Sequence, residues 1–108
     1  MGTLSTHVLD TSLGLPAQGV PITLHTLAGD SLGAGSTDAD GRIGTIGPER
    51  LAVGDYRLTF DSGSYFAAAG TTAFYPEITI AFTISDAEAH CHVPVLLNPY
   101  GYSTYRGS

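Results

Sequence analysis

An all-β fold, a sandwich of short strands with one short helix, follows from three features of this 108-residue sequence. Large apolar residues recur at every second position in several separate runs, as they do where a strand buries one face. Clusters of Gly, Pro and Asp punctuate the chain between those runs at the spacing expected of a sandwich. Residues 61–70 differ, combining capping residues, an alanine run and a closing glycine; that pattern reads as a helix.

In chain order, the first strand covers residues 4–10. Alternation puts Leu4, Thr6 and Val8 on one face and Ser5, His7 and Leu9 on the other. A turn follows at Gly14, Leu15 and Pro16. Residues 20–24 alternate again, with Pro21 marking an edge or a strand start and His25 lying on the polar side with Thr23, without an assigned role. Turns at residues 38–41 and 47–49 come next, and Arg42 sits just after the first of them. Residues 56–60 bury Tyr56, Leu58 and Phe60 and turn Arg57 and Thr59 outward. After the helix, residues 77–84 place Ile78, Ile80, Phe82 and Ile84 on one face over the longest alternating run. In residues 91–97, Val93, Val95 and Leu97 form the core face, so His92 points the other way with Pro94 and Leu96. Residues 103–108 are short enough for a last edge strand. Without repeats, low-complexity tracts or a linker, residues 1–108 read as a single domain.

A domain of this size buries roughly 65% of the surface its unfolded chain exposes, enough for one core. With 43% apolar and 13% charged residues, the chain falls on the globular side of the disorder boundary. Its net charge of −6, with four arginines and no lysine, repels phosphate backbones and anionic lipid. Nucleic acid and membrane surfaces are therefore excluded as partners. The lone cysteine, Cys91, cannot form an internal disulfide, and no apolar run approaches the ~20 residues of a membrane span. Residues 1–8 carry no basic region or long apolar stretch, which predicts a cytoplasmic protein. Gly2 and Thr6 fit a myristoylation pattern too short to assign a lipid.

The candidates for chemistry are His7, His92 and Arg42. Both histidines lie off the core face, beside Leu9 and Leu96, whose apolar area a second subunit would cover. Taken singly, each reads as an ordinary strand or turn residue. His90 and His92 stand two apart and with His7 suggest a zinc site, but no carboxylate or cysteine at a suitable spacing completes it. The Asp38–Gly41 turn departs from a calcium loop because its glycine comes too early. Cys91 reads as a small apolar residue on a buried face.

Together, "LSTHVLDTSLGLPAQGV" at 4–20, "TDADGR" at 37–42 and "AHCHVPVLLNPYGYSTYRGS" at 89–108 resemble the 5-hydroxyisourate hydrolases of the transthyretin-like family, in order and over nearly the full length. The resemblance implies a transthyretin-like sandwich of two four-stranded sheets with one short helix, assembled as a homotetramer whose active sites lie where dimers meet. It implies water addition that opens the six-membered ring of 5-hydroxyisourate, without a metal or organic cofactor. His7, Arg42, His92 and Ser108 match the family's catalytic positions, and Tyr105, Arg106 and Gly107 match its terminal substrate-contacting segment. Histidine exchanges protons near neutral pH, and arginine offers a permanently charged fork to a developing oxyanion. Which histidine activates water is left open, as is whether His90 has any part. One departure stands out: Cys91 replaces an aromatic residue common between the family's two histidines, which bears on packing more than on chemistry.

Two rival functions remain at this level. Transthyretin carriers share the fold but lack the paired histidines, the arginine and the Tyr-Arg-Gly-Ser end. A structural adhesion domain would tolerate loss of its last four residues, whereas the hydrolase would lose activity.

Overall fold

The computed structural model describes residues 2–107. Nine strands and one helix follow in the order β1 (Leu4–Asp10), β2 (Leu15–Pro16), β3 (Pro21–Thr26), β4 (Ser31–Ser36), β5 (Arg42–Ile43), β6 (Gly54–Phe60), α1 (Ser62–Ala68), β7 (Ile78–Ile84), β8 (Cys91–Asn98) and β9 (Gly101–Thr104). They form two sheets, one in the order β4-β3-β6-β7 and the other in the order β2-β1-β8-β9, with β5 also paired to β1. The expected four-by-four sandwich is thus present with one modification. The outer lane beside β1 is shared by two two-residue strands, β2 opposite Leu9 and Asp10 and β5 opposite Thr6 and His7.

Strand faces follow the alternation. Leu4, Val8, Val95 and Leu97 of the first sheet meet Leu24, Leu58 and Phe60 of the second in a fully buried layer. Each such side chain contributes roughly 1.5–3 kcal/mol through removal of apolar area from water. Leu9 and Leu96, expected to be exposed, are half-buried because they are in-register neighbours on β1 and β8. In α1, Asp61 caps the start by accepting from the Ser64 N–H at 3.1 Å, and Phe66 drives into the core.

Besides the two-residue β2 and β5, the periodicity missed β4 and misplaced β9. β4 reads Ser-Leu-Gly-Ala-Gly-Ser and is an edge of small residues with no large apolar alternation to announce it. At the other end, the hairpin register Asn98↔Gly101 starts β9 earlier than residue 103 and ends it at Thr104. The chain then leaves the ladder at Tyr105 and Arg106 and returns in an isolated bridge between Gly107 and His92. No helix among the described residues is long and apolar enough to cross a membrane.

Candidate active site

β1 is the organising strand. It runs parallel to β8 with Ser5 in register with His92, and antiparallel to β5 with His7 opposite Arg42. Two histidines and an arginine separated by up to 85 positions in sequence thus fall on adjacent lanes of one sheet.

Arg42 is delivered by a tight turn. The Asp38 carboxylate accepts from the backbone N–H of Asp40 and of Arg42, both at 2.9 Å, and the Gly41 N–H donates to the Asp38 carbonyl at 2.9 Å. Gly41 adopts φ +75°, and a Cβ there would lie 2.3 Å from the Val8 carbonyl oxygen, so the turn requires glycine. The same turn orients His7, whose Nε2 donates to the Asp40 carbonyl at 2.9 Å. A carbonyl only accepts, so Nε2 carries the hydrogen and, in the neutral ring, Nδ1 keeps its lone pair.

His92 is held from three sides. Its Nδ1 lies 2.7 Å from Ser5 Oγ, and its carbonyl accepts from the Gly107 N–H at 2.9 Å. A Cβ on Gly107 would come within 2.5 Å of His92 Cδ2, so only glycine lets the C-terminal segment close against the ring. Burial lowers the His92 pKa from its ordinary value, and the charges of Arg42, His7 and His90 push it the same way. Near neutral pH the ring is therefore uncharged and able to accept a proton.

Ser5 and His90 complete the cluster. Ser5 is only 8% exposed despite lying on the outward face of β1, because its hydroxyl sits between two imidazoles, 2.7 Å from His92 Nδ1 and 2.8 Å from His90 Nε2. His90 Nδ1 in turn meets Thr3 Oγ1 at 2.6 Å. Sequence reasoning left Ser5 without a role, since the only sign of one was its sharing a face with His7. Its link to His92 depends on a parallel register between strands 87 positions apart.

Tyr105 and Arg106 lie elsewhere on His92. They line a cleft of about 310 Å³ between the sheets, together with Ile80, Phe82, Cys91 and His92, which neither His7 nor Arg42 reaches. Cys91 is half-buried and packs against the core. Burial pushes its thiol pKa up against the opposing pull of Arg106, which leaves little reactive thiolate. Ser108, expected in the site, lies outside the described residues. Among the described residues no group of three or more His, Cys, Asp or Glu side chains is placed to hold a metal ion.

Residues 4–107 match the sequence model of the HIUase/Transthyretin family. A Salmonella dublin protein named 5-hydroxyisourate hydrolase is 48% identical, the alignment covering 97% of this chain and 80% of that protein. The solved structure of Klebsiella pneumoniae 5-hydroxyisourate hydrolase superposes with a TM-score of 0.92 at 45% identity, over 99% of this chain and 100% of the other. Transthyretin from Sparus aurata superposes at 0.88 with 28% identity, covering 99% and 97% of the two chains. The shared sandwich, the match across nearly all of the described chain and the high identity to these relatives lead to one conclusion: this chain belongs to the HIUase/Transthyretin family.

Proposed function

We propose that the chain is a 5-hydroxyisourate hydrolase of urate degradation, a single transthyretin-like domain that opens the six-membered ring of its substrate by adding water. The observation that carries this reading is the alignment on β1 of His7, opposite Arg42, and Ser5, in register with His92. It supplies a neutral base, a second oriented imidazole and a permanent cation on one sheet face. The names of the relatives support the substrate.

His92 is suited to take the proton of the attacking water because burial, and after it the positive charge of Arg42, favour its neutral ring. His7, fixed by the Asp40 carbonyl, orients the same water through its unprotonated Nδ1. As the water oxygen bonds to the ring carbonyl carbon, charge develops on the carbonyl oxygen, and the Arg42 guanidinium stabilises it. Cleavage of the carbon–nitrogen bond then requires a proton on the leaving nitrogen, which His92 returns. The product acid ionises at neutral pH, so each turnover releases one proton.

Gly107 seats the C-terminal segment against His92. In this reading Ser108 is a catalytic residue, as the family resemblance implies, and Tyr105 and Arg106 hold the segment and contact substrate from the cleft side. A homotetramer is supported by β7 and β9, whose outer edges pair with no other strand among the described residues, and by Tyr105, 61% exposed beside the cleft. Unpaired Cys91 suits a reducing cytoplasm.

The test is the decay of 5-hydroxyisourate, formed in place from urate by urate oxidase, with and without the protein. Acceleration that is lost in His92→Ala supports the proposal. Decay unchanged by the intact protein overturns it.

A further inference from the structure

Beyond the residues that would touch substrate, four side chains form a continuous hydrogen-bonded line: Thr3 Oγ1 to His90 Nδ1 at 2.6 Å, His90 Nε2 to Ser5 Oγ at 2.8 Å, and Ser5 Oγ to His92 Nδ1 at 2.7 Å. Every member both donates and accepts. Among the described residues Ser5 Oγ has no other hydrogen-bond partner, so its single hydrogen points to one ring and the other ring donates to it. Only two arrangements satisfy the whole line. In one, Thr3 donates to His90, His90 to Ser5 and Ser5 to His92, and both rings carry hydrogen on Nε2. In the other, every donor is reversed and both rings carry hydrogen on Nδ1. The two rings therefore share one tautomer.

We propose that this line is a proton wire, with His90 as a positioning residue that lets neutral His92 change from proton acceptor to proton donor by a concerted tautomer switch. The inference rests on the hydrolase reading for the proton's use, and on geometry for the wire itself. Starting with hydrogen on both Nδ1 atoms, His92 accepts the water proton at Nε2. Its Nδ1 hydrogen then passes to Ser5, the Ser5 hydrogen to His90 Nε2, and the His90 Nδ1 hydrogen to Thr3 and solvent. His92 now holds a hydrogen on Nε2 for the leaving nitrogen, and its donation draws one proton back along the line and restores the first arrangement. No imidazolium forms on His92, where burial and the charges of Arg42, His7 and His90 would oppose one. His90 is exposed, so the outer end of the line exchanges with bulk water.

The wire can be tested without activity. Nitrogen-15 NMR of the native protein should show equal hydrogen occupancy on Nδ1 of His90 and His92, and Ser5→Ala should make the two differ. Opposite tautomers in the native protein, or an unchanged balance in Ser5→Ala, would overturn the wire even if the protein is a hydrolase. In the activity assay, His90→Ala should lower kcat about tenfold or more while KM changes less than about twofold. Added imidazole should restore the rate. His90→Gln, which keeps hydrogen bonds but cannot exchange tautomers, should stay slow. A kcat within about twofold of native for either variant, or a slow His90→Ala that imidazole does not restore, would refute the proposal. If the native protein itself leaves decay unchanged, the hydrolase reading fails and the NMR result still decides the wire.

Discussion

β1 carries a buried polar network near each end, and the two behave oppositely. Near its C-terminal end, Asp10 is 2% exposed and accepts from the Ser12 N–H at 3.0 Å, the Ser12 hydroxyl and the Tyr65 hydroxyl at 2.7 Å. Near the other, Ser5 is 8% exposed between two imidazoles. An ionised carboxylate only accepts, so every hydrogen around Asp10 has one possible place and the network ties α1 to the sheet. Hydroxyls and imidazoles both donate and accept, so the Ser5 line has two arrangements of similar connectivity. Burial alone does not decide whether a polar group is scaffold or machinery. The donor–acceptor character of its partners does.

Removing the reactive member of the Ser5 network should have the largest effect. His92→Ala should reduce kcat by about 10²–10⁴ with little change in thermal stability, measured by substrate decay and by a melting curve. Arg42→Ala should cost about 10²–10³ in kcat by leaving the developing oxyanion without its cation. A stability loss in either variant as large as that expected of Tyr65→Phe, about 1–3 kcal/mol, would erase the distinction between the two networks.

The Asp10 network should respond in the opposite sense. Tyr65→Phe leaves a buried carboxylate oxygen without its donor and should destabilise by about 1–3 kcal/mol in denaturant titration, while kcat per folded molecule stays near native. The Tyr65 phenol is pushed up to about 12 by burial and then by its bond and charge interaction with Asp10. Because the folded value exceeds the ordinary 10, this contribution is complete below pH 10 and is lost as pH rises through about 12. Ultraviolet titration of native protein against Tyr65→Phe should show one phenol ionising late.

The smallest effect concerns His92 and stability. Its folded pKa lies below the ordinary 6.5, so the unfolded chain takes up a proton that the folded ring resists. Stability should therefore fall as pH drops below 6.5, and His92→Ala should flatten that slope in denaturant titrations at several pH values.

Much of the architecture was legible in the chain because period-two burial is local. Leu4, Val8, Val93, Val95, Leu58 and Phe60 face the core where alternation put them. His7 and His92 were separated from the core by the same logic, and Arg42 stood out as the residue after a glycine turn. β4 was missed because Gly33 and Gly35 carry no side chains to alternate. β2 and β5 were missed because two-residue strands have no period.

The sequence by itself determined which side chains alternate inward, where the chain turns, and which residue types were available for proton transfer. Only the tertiary structure decided which of them meet. The parallel pairing of β1 with β8 puts Ser5 beside His92, and the short β5 puts Arg42 opposite His7. The physical reason is that strand register is set jointly by two distant burial patterns and by backbone hydrogen bonding between them. Nothing local to Ser5 or His90 marks either as half of a pair. Gly107 is the same case, since its need to be glycine arises from a His92 ring fifteen positions earlier, brought within 2.5 Å of where a Cβ would stand.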